Sequence, residues 1–355
     1  MRQKRVLLVT ENLGSGGAER QLVGLAVFLQ EKGFVVKVAT YYKNQFFEPF
    51  LRKNKVEYEL LNGAFDKRKR LFVIGNLIKK FKPDTVLSYL PVPNMIMCIL
   101  KLIYKFRLIV SERSHTLCWG KETFVRFNLY RIANKVVCNS FSEEENIVSH
   151  CSFLKKTITT IPNFVDTERF FQNGLTPQKI SILSVGRLTE QKNVLRAIEA
   201  LGILRKKGYS FDLIWIGSHY DKEYVSKVEK SILDNDMKKC VHIVDQQNDL
   251  LPYYQNASFF FFPSFLEGYP NVLCEAMSCG LPVVCSNVCE MPKIVKEGVN
   301  GFLFNPLDMN EMVNALEKMI SINTTMYEKM RITNRMQVVR NNSKEAFVNQ
   351  YVKLI

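Results

Sequence analysis

The chain has 355 residues, 47% of them hydrophobic and 23% charged, and a net charge of +15. That length and apolar content suffice for two cores of ordinary domain size, so two domains are expected. No run of about 18 uncharged apolar residues is present to span a bilayer as a helix. The start, MRQKRVLLVTENLG, passes from basic residues straight into a β-strand, without the apolar stretch and cleavage site of a secretion signal. A cytosolic protein is therefore expected, and nine cysteines without paired spacing agree, since in a reducing compartment Cys serves as a small buried apolar residue.

In chain order the pattern is β/α alternation, twice. The first round holds the strand-like runs VLLVT (6–10), VVKVAT (35–40), VEYELL (56–61), TVLSYL (85–90), RLIVS (107–111) and KVVCNS (135–140). Continuous Val, Ile and Leu separated by helical stretches argue for parallel strands covered on both faces. After the first strand comes GSGGAERQ (14–21), whose Gly16 and Gly17 can offer backbone amides to an anion. A dinucleotide-dehydrogenase reading fails there: the G-x-G-x-x-G spacing is missing, and the second strand ends in Ala39 and Thr40 rather than an acid.

The positive charge is confined to this half. Residues 1–165 carry 27 Lys and Arg against 13 Asp and Glu, the remainder 22 against 21. Much of the excess lies in FDKRKRLFVIGNLIKKFKPD, where Lys67, Arg68, Lys69, Arg70, Lys79 and Lys80 alternate with Leu71, Phe72, Ile74, Leu77, Ile78 and Phe81. Such interleaving suits anionic lipid headgroups and predicts these six cations as membrane contacts, the alternative being a solvated helix face. Nucleic acid is not expected as a partner, because no zinc-finger, helix-turn-helix or RNA-binding signature accompanies the charge.

Periodicity breaks near 162–178, at Pro162, Asn163, Gly174 and Pro177, which predicts a first domain over 1–165 and a second over 166–342. The second round runs through ISILSVG (180–186), FDLIWIG (211–217), VHIVD (241–245), FFFFPS (259–264) and PVVCS (282–286). GRLTEQKN (186–193) follows its first strand. Asp234 and Asp236 form a D-x-D, a pattern that can hold a metal ion, but it ends a charged helical stretch instead of following a buried strand and reads as a helix terminus. Cys274, Cys279, Cys285 and Cys289 lack C-x-x-C spacing, so no metal is predicted.

The most informative run is FLEGYPNVLCEAMSCGLPVV (265–284). A buried strand hands over at Pro263 to a loop with Glu267 and Gly268, and then Pro270 and Asn271 open a short helix that Gly280 stops. Free amides at that helix start would point out of the carboxyl edge of the sheet, where α/β folds bind phosphorylated ligands. Glu267 and Glu275, flanking the anion, are placed to accept from hydroxyls. A phosphate between two hydroxyl-bearing groups describes a nucleotide sugar.

EGYPNVLCEA resembles the E-x7-E motif of retaining glycosyltransferases with the GT-B fold, specifically family four (glycosyl transferases group 1). GRLTEQKN, GSGGAERQ and IPNFVDTERF (161–170) resemble that family's glycine-arginine and lysine pair, glycine loop and interdomain linker, so the similarity spans nearly the whole chain. The resemblance implies an α/β protein of two Rossmann-like domains with parallel sheets facing across a cleft, and a last helix over 343–355 that packs back on the first. It makes Arg187 and Lys192 diphosphate clamps, gives Glu275 the ribose hydroxyls and Glu267 those of the transferred sugar, and adds Gly16, Gly17, Gly268, Tyr269, Asn271 and Val272 to the donor set. Many relatives carry a histidine directly after the strand matching RLIVS. Here Glu112, Arg113, Ser114 and His115 follow, and His115, Glu112 or Arg113 fills the catalytic role beside Glu267. The implied activity is metal-independent transfer of a sugar, with UDP as the nucleotide, to a glycan or polyprenyl-linked acceptor. The enzyme would sit peripherally on the inner face of the cytoplasmic membrane. A nucleotide-sugar epimerase and a non-catalytic sugar-nucleotide-binding module are the alternatives.

Overall fold

The computed structural model describes residues 2–174, 179–219 and 221–355; Pro177 lies outside the described residues. The chain divides into two compact units, one formed by the residues up to Phe164 together with Lys344–Ile355, the other by Val165–Ser343.

The first unit is a seven-stranded parallel sheet of β1 (Arg5–Val9), β2 (Val35–Thr40), β3 (Glu57–Leu60), β4 (Thr85–Tyr89), β5 (Arg107–Glu112), β6 (Lys135–Cys138) and β7 (Ile158–Thr160), in the order β3-β2-β1-β4-β5-β6-β7. Val6, Leu7, Leu8 and Val9 are all fully buried. Four consecutive buried residues require cover on both faces, because neighbouring side chains of a strand point in opposite directions. Helices Lys67–Phe81 and Pro91–Lys101 supply part of the cover on one face. On the other, helix Gly17–Glu31 packs beside the last helix, Lys344–Leu354, which contributes Phe347, Val348 and Tyr351 to that core. The Tyr351 hydroxyl meets that of Tyr89 at 3.1 Å.

The second unit holds six parallel strands, β8 (Ser181–Val185), β9 (Asp212–Ile216), β10 (Val241–Val244), β11 (Phe259–Phe262), β12 (Val283–Ser286) and β13 (Gly301–Phe304), ordered β10-β9-β8-β11-β12-β13. From β8 the chain winds one way to β10, then returns beside β8 as β11 and winds the other way. The point of reversal, between β8 and β11, is where open α/β sheets leave a crevice at their carboxyl edge. Both expectations of Rossmann-like α/β architecture hold. Two strands are absent from the sequence reading, β7 and β13, and both are edge strands.

Candidate functional site

At the carboxyl edge of the second sheet, the residues after β8 and those after β11 are sewn together. Asn193 adopts a left-handed conformation (φ 58°), is buried, and donates from Nδ2 to the carbonyls of Pro263 (3.1 Å) and Pro306 (3.3 Å). The Phe265 N–H donates to the Gln191 carbonyl at 2.9 Å, and Gln191 Nε2 to the Leu266 carbonyl at 2.9 Å. β9 closes in from the other side: a Cβ on Gly217 would lie 2.0 Å from the Gly186 carbonyl oxygen, so only glycine fits there. Trp215 Nε1 donates to the same oxygen at 2.8 Å.

This stitching delivers Lys192 to Glu267. Their Nζ and Oε1 form an ion pair, mostly shielded from solvent, and the ammonium sits 5.1 Å from the centre of the Phe262 ring. Arg187 extends from the end of β8 and is exposed. Helix Asn271–Ser278 starts without a side-chain cap, so its first-turn amides are not taken by a capping side chain. Glu275, one turn in, is 2% exposed and accepts from the Tyr254 hydroxyl at 3.2 Å. Asn271, Val272, Gly268 and Glu267 are half-buried around the loop. Two acids, two cations and a helix start without a side-chain cap thus border the β8–β11 crevice, an arrangement able to hold an anion flanked by hydroxyl-bearing groups.

Tyr269 does not present its side chain here. The ring is buried, its hydroxyl accepts from Asn342 Nδ2 at 2.6 Å and lies beside the Cys274 thiol. Its phenol is a packing element, because the turn into the helix points it at helix Thr324–Asn342. Asp234 ends helix Lys222–Asp234 and Asp236 follows at φ 53°. Among the described residues no group of three or more His, Cys, Asp or Glu could hold a metal ion. Each of the nine cysteines is a free thiol, and burial pushes those of Cys274 and Cys279 up to about 12.

In the first unit, Gly16 and Gly17 are exposed at the start of helix Gly17–Glu31, which also lacks a side-chain cap. The half-buried Glu19 carboxylate lies against Gly16, and burial, reinforced by Glu11, raises its pKa. After β5, the structure separates three residues that the sequence left as alternatives. Glu112 is 1% exposed, accepts from the Tyr130 hydroxyl and Asn94 Nδ2 (3.3 Å), and has its pKa raised by burial. Arg113 is buried, donating to Asn163 Oδ1 and to Ser111 Oγ at 3.3 Å, with its guanidinium 4.9 Å over the Tyr89 ring. Both are enclosed by the unit's own polar network. His115 alone retains partial exposure, with Nδ1 2.8 Å from Oε2 of Glu143.

Glu143 was missed by the sequence, although a signal existed. Ser140 and Glu143 have the S-x-x-E spacing of a capping box, and Ser140 Oγ does accept from the Glu143 N–H at 3.2 Å. The Glu143 carboxylate instead accepts from the Thr116 N–H (3.0 Å) and hydroxyl (2.6 Å) and holds the loop carrying His115. Asn193 and Tyr254 were missed as well. Of the six cations expected at a membrane, Lys67, Arg68, Lys69, Lys79 and Lys80 are exposed. Arg70 is not: it is 4% exposed, donates to the Ala64 carbonyl (2.6 Å) and the Tyr42 hydroxyl (2.9 Å), and lies 4.2 Å from the centre of the Tyr41 ring. Its place on the inward side of the helix removes it from any surface role.

Comparison with known proteins accords with this geometry. Residues 165–337 match the model of Glycosyl transferases group 1, and residues 15–169 that of Glycosyltransferase Family 4. An uncharacterized glycosyltransferase of Haemophilus influenzae is 28% identical, covering 94% of this chain and 95% of its own. The Campylobacter jejuni GalNAc-alpha-(1->4)-GalNAc-alpha-(1->3)-diNAcBac-PP-undecaprenol alpha-1,4-N-acetyl-D-galactosaminyltransferase is 23% identical over 99% of this chain and 98% of its own. Among solved structures, Anabaena HepE in complex with UDP superposes with a TM-score of 0.86 at 17% identity, covering 99% of both chains. The two-unit architecture is that of GT-B glycosyltransferases.

Proposed function

Because the chain belongs to the group 1 glycosyltransferases of family four, we propose that it transfers a sugar from UDP to a hydroxyl of a polyprenyl-diphosphate-linked glycan, retaining the anomeric configuration and using no metal. The observation that carries this reading is the Lys192–Glu267 pair and Glu275 bordering one crevice with an uncapped helix start. Support for the nucleotide comes from the UDP complex of HepE, and for the acceptor from the undecaprenol-linked substrate in the Campylobacter relative's name.

The anomeric carbon exchanges its bond to the diphosphate for one to the acceptor oxygen, whose proton passes to the departing diphosphate. Negative charge develops on the leaving diphosphate, and fixed cations and dipoles must meet it without reorganising. Arg187 forks onto phosphate oxygens, Lys192 adds a compact charge, and the first turn of helix Asn271–Ser278, with Val272 and the Asn271 side chain, completes the cradle. Glu275 accepts from the ribose hydroxyls, Glu267 from those of the sugar, with Gly268 allowing close approach. In the first unit, Gly16 and Gly17 keep the donor-binding role, and His115, held by Glu143, the catalytic role that the family resemblance gives them.

Incubation with labelled UDP-sugars and a polyprenyl-diphosphate glycan tests the proposal, with product stereochemistry read by NMR. Label should enter the lipid fraction with retention, in EDTA as in buffer. Abolition by EDTA with rescue by magnesium or manganese would overturn metal independence. UDP binding without turnover on any sugar would leave a binding module.

A further inference from the structure

We propose that the outer face of helix Lys67–Phe81, together with the end of helix Pro91–Lys101, docks on an anionic lipid surface by inserting apolar side chains between basic ones. Phe72 is 72% exposed at the middle of that face, and Leu102 and Ile103, just past the end of the neighbouring helix, are each 70% exposed. The two helices lie side by side here. The Tyr104 hydroxyl rests against Gly75, and Lys79 Nζ is 6.0 Å from the Tyr104 ring centre.

Around Phe72, helical spacing places Arg68, Lys69, Asn76 and Lys79 on the same exposed side, and Lys80 and Lys105 are exposed as well. No acid occurs between residues 67 and 81. The nearest acids are engaged: Asp66 caps the helix by accepting from the Arg68 N–H at 2.9 Å, Asp84 accepts from Arg2 and from the Arg5 N–H, and Glu59 is paired with Lys37. A large exposed aromatic and two aliphatic side chains, ringed by lysines with long flexible stems, suit a fluid anionic layer. The stems can lie along apolar tails while the ammonium groups stay at headgroup level. Burial of Arg70 sharpens the assignment, since the docking cations reduce to those that share Phe72's side of the helix.

The test is co-sedimentation of the full chain with vesicles, which requires neither donor nor acceptor. The chain should bind phosphatidylglycerol-rich vesicles and not pure phosphatidylcholine, and binding should fall as salt rises. Lys69→Glu with Lys79→Glu should weaken binding at low salt by at least the roughly fivefold expected for each cation removed. Phe72→Ser with Leu102→Ser should weaken it about tenfold or more at high salt, where apolar insertion remains. Both pairs are exposed, and unchanged circular dichroism and melting would confirm folding. Equal sedimentation of wild type and both variants would overturn the proposal. So would binding to phosphatidylcholine alone at the same level, or a Phe72 and Leu102 effect seen only as loss of a dimer in analytical ultracentrifugation.

Discussion

Glu275 and Glu143 are both carboxylates enclosed by protein, and their neighbours determine what each can do. Glu275 accepts from the Tyr254 hydroxyl at a crevice where donor hydroxyls are expected. Glu275→Ala and Arg187→Ala should each cost about 1.5–3 kcal/mol of UDP affinity, or ~10- to 150-fold, with the fold intact. Tyr254→Phe should cost less, about fivefold, because it removes only the donor that orients the acid. Calorimetric titration with UDP reads all three, and unchanged affinity in the first two would take those residues out of the site. Glu143 is tied instead to His115, whose pKa it raises above the usual 6.5 by hydrogen bonding, against the opposing effect of burial. A raised folded-state value means that the pair's contribution to stability is complete below about pH 6.5 and is lost as pH rises through the folded-state pKa. Urea midpoints should therefore drop between pH 6 and 8 in wild type more than in His115→Gln, and NMR titration should return His115 toward 6.5 in Glu143→Gln. Identical midpoint changes in wild type and His115→Gln would show that the pair does not titrate in this window.

At the scale of elements, the site depends on the tie that Asn193 makes between the segments after β8, β11 and β13. Asn193→Ala loses two hydrogen bonds to buried carbonyls and the tolerance of asparagine for positive φ, a cost of about 2–4 kcal/mol to the second unit. Asn193→Gly keeps the backbone conformation and loses only the hydrogen bonds, so its melting temperature should fall less. If both melt like wild type, the tie is dispensable. Nothing in the sequence could reveal it, because the segment carrying Asn193 and the two carrying the carbonyls become neighbours only through the strand order. The strands themselves were legible wherever both faces are covered, as in VLLVT and FFFFPS, since burial on two sides favours a continuous apolar run. β7 and β13 escaped through their composition rather than their edge position, which the legible β3 and β10 share. Ile158–Thr160 is short and threonine-rich, and Gly301–Phe304 begins with glycine. The motif residues Lys192, Glu267 and Glu275 were readable from spacing. Burial of Arg70, Glu112 and Tyr269 was not, because it follows from which side of each element meets a neighbour.

For the whole molecule, the last helix belongs to the unit that the chain began with. Phe347, Val348 and Tyr351 are fully or almost fully buried there, and the Phe347 ring centre is 5.4 Å from that of Phe164. Deleting residues 344–355 forfeits about 1.5–3 kcal/mol for each of these side chains, a sum comparable with the entire stability of an ordinary domain. Calorimetry of the truncated chain should show the first unit's transition lost or strongly lowered, while the second unit still melts cooperatively and is shifted upward by UDP. A first transition at the temperature of the intact chain would make the helix an accessory. The same arrangement sets a timetable for biosynthesis. At ~5–20 residues per second, a ribosome needs on the order of 10–40 s to deliver Val165–Ser343 before the closing helix emerges. Throughout that interval the apolar strip along helix Gly17–Glu31 waits uncovered, a ready client for a holdase chaperone. The second unit, contiguous in the nascent chain, has every part it needs to fold first.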